Sequence, residues 1–239
     1  MIKVGCCGFP RSFALYVRTF RLVEIQQTFY RLPRLSTVQR WRERAPAGFE
    51  FTMKAWQLIT HPPTSPTYRR LGRPIPARAA ERYGGFRASR EVRQAWEATR
   101  EVARALGATV VVFQCPASFT PTAQNVARMR AFFSAIDRGG LRLGWEPRGA
   151  WDPAVVARLC AELDLIHCTD PFVLRPAPGP IRYFRLHGRT GYRYRYTDED
   201  LEQLRRWCAA RRVTFYVLFN NVTMWDDARR FASLVAGRS

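Results

Sequence analysis

The sequence predicts an α/β fold, a single TIM-type (β/α)8 barrel, on three observations. The chain has 239 residues, close to the roughly 250 typical of that architecture. Eight apolar runs with strand character are spread along it, and helical patterns of 10–15 residues separate most of them. The predicted strands cover residues 2–7, 22–27, 49–55, 108–115, 141–146, 163–169, 181–187 and 213–220. After the third strand, residues 61–88 form a long connection rich in Pro, Arg, Tyr and Gly, the kind of loop that is usually functional or mobile. Ser89 then opens a helix that Gly107 stops, and a second helix spans Thr122–Ile136, with Gly139-Gly140 as its stop signal. Asp152-Pro153 supplies an N-cap and first-turn proline for a helix through Leu163. The sixth crossover, residues 171–180, holds four prolines and has no room for a full helix. Residues 188–196, GRTGYRYRY, interleave Arg with Tyr and so offer phosphate contacts and stacking faces together, or else a solvated extension with alternating faces. Thr197 with Asp200 resembles a capping box opening a helix through Arg211. No linker, repeat or low-complexity tract intervenes, so one domain over residues 1–239 is expected.

Hydrophobic content of 47% with 13% aromatics excludes a disordered chain. No run approaches the roughly 20 apolar residues of a membrane span, and Met1-Ile2-Lys3-Val4 opens directly into a strand pattern. A cytoplasmic protein with no membrane partner is expected. The formal charge is +20, and only Lys3 and Lys54 are lysines, leaving 37 arginines. Such a field attracts polyanions, although a compositional bias toward arginine gives the same total. The six cysteines form no CxxC pair, so no zinc or redox site is read from them.

Side chains alternate along a strand, which sorts the polar positions by face. Glu24 with Gln26, Thr52 with Lys54, Gln114 with Val110 and Val112, Glu146 with Gly144, and Arg185 and His187 with Tyr183 oppose apolar partners that must face the helices. Glu24, Lys54, Gln114, Glu146, Arg185, His187 and Asn220 therefore converge at the C-terminal ends of the strands, where barrel active sites lie. The competing reading is that Glu24–Lys54 and Glu146–Arg185 are ion pairs that merely fill the barrel. Of three histidines, His187 is the inward-facing candidate for acid–base work, His167 shares a face with Leu165 and reads as a core residue, and His61 opens the long loop. Glu24, Glu146, Asp170 and His187 are conceivable divalent-metal ligands. Lys54 and Arg185 in the same space suit a phosphate or carboxylate better, so no metal site is assigned and no cofactor is required.

The same residues carry a family resemblance. Residues 22–33, LVEIQQTFYRLP, resemble a hallmark segment of the YecE-like family, domain of unknown function 72. So do FEFTMKA at 49–55 with ITH at 59–61, WEPR at 145–148 with Trp151, YFRLHGR at 183–189 and YVLFNN at 216–221. The resemblance spans nearly the whole chain from Gly5-Cys6-Cys7-Gly8, where the family usually has Gly-Thr-Ser-Gly. Gln26 stands where Asn is common, and VTMWDD after Asn221 departs from the small residues expected there. The resemblance implies a TIM-like barrel of unestablished activity, one compared with endonuclease IV, a metal-dependent DNA-repair barrel.

Two functional expectations follow. One is an enzyme acting on a phosphorylated or otherwise anionic substrate, nucleic acid included: His187 with Glu24 or Glu146 moves protons, and Lys54 and Arg185 hold the anion. Gln26, Gln114, His61, Arg148, Arg189, Asn220 and Asn221 are further substrate-binding candidates. The other is a noncatalytic nucleic-acid-binding protein using its basic surface. Oligomeric state is not read from the sequence.

Overall fold

The computed structural model describes residues 1–237. Eight parallel strands, β1 (Ile2–Cys7), β2 (Leu22–Ile25), β3 (Glu50–Lys54), β4 (Ala108–Gln114), β5 (Arg142–Glu146), β6 (Leu165–Thr169), β7 (Ile181–Leu186) and β8 (Thr214–Phe219), close into a barrel in sequence order. β1 pairs with β2 on one side and β8 on the other, which completes the ring. The helices are α1 (Phe13–Thr19), the single turn α2 (Gln27–Tyr30), α3 (Leu35–Arg44), the single turn α4 (Gln57–Thr60), α5 (Arg90–Leu106), α6 (Ala123–Ala135), α7 (Pro153–Glu162), α8 (Asp198–Trp207) and α9 (Met224–Ala236). No helix among the described residues joins β6 to β7, consistent with the proline-rich crossover. None is long and apolar enough to cross a membrane.

The caps act where the sequence places them. Ser89 accepts from Val92 N, Asp152 from Ala154 N and Val155 N, and Gly107 ends α5 at a φ of 64°. Thr197 and Asp200 complete both halves of a capping box although the third position is Asp. Several expected boundaries move by one to four residues. β2 stops at Ile25 rather than residue 27, because the Thr28 hydroxyl donates to Lys54 O (2.7 Å) and folds the next residues into α2. α6 ends at Ala135, within one residue of the expected Ile136, which turns extended. α8 ends at Trp207, because the chain must reverse through Arg212, at a φ of 61°, to enter β8.

Two cores follow from strand alternation. Between sheet and helices lie residues such as Val23, Phe51, Met53, Phe113, Trp145 and Phe184. Inside the barrel lie Leu22, Val110, Val112, Cys168, Tyr183, Tyr216 and Leu218. The interior leaves no room at Gly144, where an added Cβ would stand 2.5 Å from Cys168 Sγ. The N-terminal end is plugged by Glu50, which binds Lys3 and accepts from the Tyr216 hydroxyl (2.6 Å). Charges at that end are thus consumed in closure, and the chemistry is left to the opposite mouth.

Candidate functional site

The interior becomes polar one step above its apolar layer. Tyr183 OH donates to Glu24 Oε2 (2.8 Å), so its oxygen is free to accept from the Thr52 hydroxyl (2.7 Å). Glu24 also receives Arg185 Nε (3.2 Å) and Nη2 (2.9 Å), and Gln26 Nε2 binds its Oε1. Arg185 Nη1 reaches Glu146 Oε2 and Gln114 Oε1 (3.3 Å), and Nη2 reaches Gln26 Oε1 (3.3 Å). One guanidinium, 1% exposed, therefore lies between two carboxylates exposed by 0% and 4%. A buried cation needs such partners, and here they come from β2 and β5 on either side of β7. Burial would push the Glu146 carboxyl up, but Arg185, then Arg148 and Lys54, hold it below its ordinary value.

Beside this pair, Arg148 Nη2 binds Glu146 Oε1 (2.9 Å) and the Nε2 of His187 (2.5 Å). His187 Nε2 is 3.4 Å from Glu146 Oε1, and its Nδ1 is 3.3 Å from the Asn220 amide. Burial, then the fields of Arg185 and Arg148, push His187 down to about 3, so the imidazole is neutral at pH 7. It can accept from Arg148 or donate toward Glu146, but it is not a resting cation. Asp170 accepts from His187 N (2.9 Å) and Phe172 N (3.0 Å), which pins the proline-rich crossover to the end of β7.

Lys54 is the remaining interior charge. Its Nζ donates to Gln114 Oε1 at 2.9 Å and lies 3.8 Å from the centroid of Phe29, and no ion pair to it occurs among the described residues. Burial first, and Arg185 next, push the amine down to about 7. It lies on the wall of an open cleft of about 890 Å³ at the C-terminal mouth. Every charged side chain lining that cleft is a cation: Lys54, Arg70, Arg148 and Arg185. Phe29, Tyr30, Trp41 and Tyr192 add aromatic faces, and Gln26, Gln114 and Asn220 add amides. Arg70 stacks 3.6 Å from the Tyr30 centroid and also lines an adjoining groove with Arg31 and Arg34.

Six of the sequence candidates thus share the cleft wall: Gln26, Lys54, Gln114, Arg148, Arg185 and Asn220. Glu24 and Glu146 lie buried behind Arg185, and His187 touches Arg148 and Asn220. Three others lie outside it. His61 is buried edge-on to Phe29 (4.8 Å), with its Nδ1 2.8 Å from the Thr60 hydroxyl. Arg189 turns to Asp200 Oδ1 (2.8 Å). Asn221 donates to Tyr194 O (2.8 Å) and Asp227 Oδ2 (2.7 Å), tying the Arg/Tyr loop to α9. That loop is built of turns and not of an extension of β7; in it Tyr196 is buried, Tyr194 half-buried, and Arg193 and Arg195 are exposed. Only Tyr192 joins the cleft.

Sequence reading missed Arg70, held on a short 3-10 helix Pro66–Arg70 inside the long connection. One arginine among 37 carries no mark of its own. The donor set does not suit a divalent metal. No group of three or more His, Cys, Asp or Glu side chains placed to hold one occurs among the described residues, and Arg185 already occupies the space between Glu24 and Glu146. All six cysteines are free and buried, and burial holds their thiols up and inert.

The family model described as protein of unknown function DUF72 matches residues 8–238. No curated protein matches the chain. Among solved structures, a DUF72 family protein from Enterococcus faecalis superposes with a TM-score of 0.73 at 20% identity, covering 100% of this chain and 98% of that one. A DUF72 family protein from Thermotoga maritima gives 0.68 at 19% identity, with 99% of each chain covered. Endonuclease IV from Thermus thermophilus gives 0.55 at 13% identity, again with 99% of each chain covered. At these identities the likeness is one of fold.

Proposed function

The chain belongs to the DUF72 family, whose function is unknown, and from that premise we propose that it is an enzyme acting on a phosphorylated or otherwise anionic substrate at the C-terminal mouth of the barrel. The observation that carries this reading is the sign of the cleft. All its charged lining residues are cationic, and both nearby carboxylates are tied behind Arg185. Arg70 and Arg148 hold the anion, with Lys54 alongside. Two unit charges 4 Å apart attract by about 4 kcal/mol at an effective dielectric of 20, so two guanidiniums on one cleft wall support tight binding. Arg185 keeps its partners and acts as a fixed charge behind the ligand. The neutral His187, between Arg148, Glu146 and Asn220, is the proton-transfer group, with Glu146 as its carboxylate partner. Glu24, bound to Tyr183 and Arg185, orients the arginine instead of touching substrate. Calorimetric titration with ribose 5-phosphate and with ribose tests the reading. The phosphate ester binds and the free sugar does not, and Arg70→Ala with Arg148→Ala weakens the ester by roughly a hundredfold or more, two charge-assisted hydrogen bonds of about 1.5–3 kcal/mol each. Equal affinity for both sugars would overturn it.

The second reading, noncatalytic nucleic-acid binding, is favoured by one observation: the cleft runs past Arg70 into a groove lined by Arg31 and Arg34. Under that reading a short single-stranded oligonucleotide binds far more tightly than a monophosphate, and Lys54→Ala and His187→Ala lower its affinity with no turnover to lose.

A further inference from the structure

The chain has two amine side chains in very different settings. Lys3 sits at the closed end of the barrel, bound to Glu50 and 3.3 Å from the Tyr216 hydroxyl, an arrangement that keeps it charged. Lys54 sits at the open end. Its one polar partner among the described residues is a neutral acceptor, Gln114 Oε1 at 2.9 Å, and a buried lysine kept for its charge would be expected to have a carboxylate. The two carboxylates near enough to serve, Glu24 and Glu146, are committed to Arg185 and Arg148. The Lys54 backbone is held as well, since its carbonyl accepts the Thr28 hydroxyl at 2.7 Å, and Phe29 covers one side of the amine. Position, lack of a counter-ion among the described residues and a place on the cleft wall together describe a nucleophile.

We infer that Lys54 forms an imine with the carbonyl carbon of a phosphorylated aldehyde or ketone whose phosphate rests on Arg70 and Arg148. This deepens the anion-binding reading and rests on it. The neutral amine adds to the carbonyl carbon, forming a C–N bond, and a proton passes from nitrogen to oxygen to give a carbinolamine. The C–O bond then breaks, the oxygen leaves as water, and a proton taken from solvent leaves a cationic imine. Nothing is oxidised or reduced. The surroundings favour the free amine: burial and Arg185 dominate, Arg148 adds to them, and Glu146 and Glu24 oppose. His61, behind Phe29, is itself held neutral by burial and by Lys54. A desolvated lysine beside another cation is a recognised way to obtain a nucleophilic amine near neutral pH. A cleft of about 890 Å³ accommodates a sugar phosphate.

The full chain is incubated with glyceraldehyde 3-phosphate and cyanoborohydride, and peptides are mapped by mass spectrometry. The expected result is a single adduct, the mass of the probe less one oxygen atom, on Lys54, formed roughly tenfold or more faster than on Lys3 or the amino terminus. Inorganic phosphate suppresses it, Lys3→Arg retains it, and Lys54→Met, checked for folding by circular dichroism, loses it. Binding of glycerol 3-phosphate, which has no carbonyl, is measured in parallel. If glycerol 3-phosphate binds but labelling is absent from Lys54, the imine is overturned and the anion reading stands. If neither occurs, both fall. Labelling of Lys54 by glyceraldehyde as fast as by its phosphate ester would overturn the phosphate half of the assignment.

Discussion

Arg185→Met tests the electrostatic centre of the barrel. The substitution keeps much of the side-chain volume and removes the one cation that lies between Glu24 and Glu146. Both carboxylates are buried, and removing one partner of such a pair usually costs about 3–5 kcal/mol because it strands the other charge. Here a single cation serves two carboxylates, which raises the cost. Tyr183 and Gln26 still donate to Glu24, and Arg148 still pairs with Glu146, which lowers it. A loss of about 3–5 kcal/mol remains the expectation, a large share of the roughly 5–15 kcal/mol that stabilises a typical fold. Urea unfolding followed by circular dichroism at pH 7.5 measures it. The triple variant Arg185→Met, Glu24→Gln, Glu146→Gln removes the stranded charges and recovers at least half of the deficit. A loss under about 1 kcal/mol for the single variant, or a triple variant no more stable than the single, would refute the reasoning.

Three further outcomes follow from the same network. His61, His167 and His187 are pushed down to about 3, 4 and 3, with burial the main cause in each, whereas the unfolded chain titrates near 6.5. The unfolded state therefore binds more protons below pH 6.5, and stability falls with pH by up to about 4 kcal/mol per unit between pH 6 and 4; a flat profile of unfolding free energy there contradicts the assignment. Burial and Arg185 keep Lys54 a free amine while Arg70 and Arg148 carry the phosphate, so binding glycerol 3-phosphate at pH 8 takes up well under one proton per site, read from calorimetry in buffers of different ionisation enthalpy. Uptake of close to one proton would place the phosphate on Lys54 instead. Tyr183→Phe removes a donor from Glu24 and leaves the Thr52 hydroxyl only its longer bond to Val23 O (3.4 Å), at an expected cost of about 1–3 kcal/mol in urea unfolding; an unchanged midpoint would mean that the hydroxyl chain contributes nothing.

The barrel was legible because its signals are periodic. Alternation in β3 and β7 sorts Thr52, Lys54, Tyr183 and Arg185 from Phe51, Met53, Phe184 and Leu186, and the two cores divide along that line. Convergence of side chains at the mouth follows from closure alone, so Glu24, Lys54, Gln114, Glu146 and Arg185 could be grouped before any coordinates. Their pairing could not. The sequence allows Glu24–Lys54 as readily as Glu24–Arg185, and strand stagger, which decides between them, leaves no trace in composition. The same limit explains the charge of His187, whose ordinary value of 6.5 suggests a partly protonated ring until its burial, with Arg185 and Arg148 beside it, is seen. Arg70 was hidden for another reason: it reaches the cleft by the path of a long loop, and loop paths follow turn geometry such as Ser65 capping Pro66–Arg70, not hydrophobic period.

A structure determined with glycerol 3-phosphate bound tests the central claim most directly. The account predicts the phosphate group within hydrogen-bond distance of Arg70 and Arg148 in the cleft at the C-terminal mouth, with Lys54 alongside and Arg185 still joined to Glu24 and Glu146. Phosphate bound only to exposed arginines elsewhere, with the mouth closed by its own side chains, would contradict it.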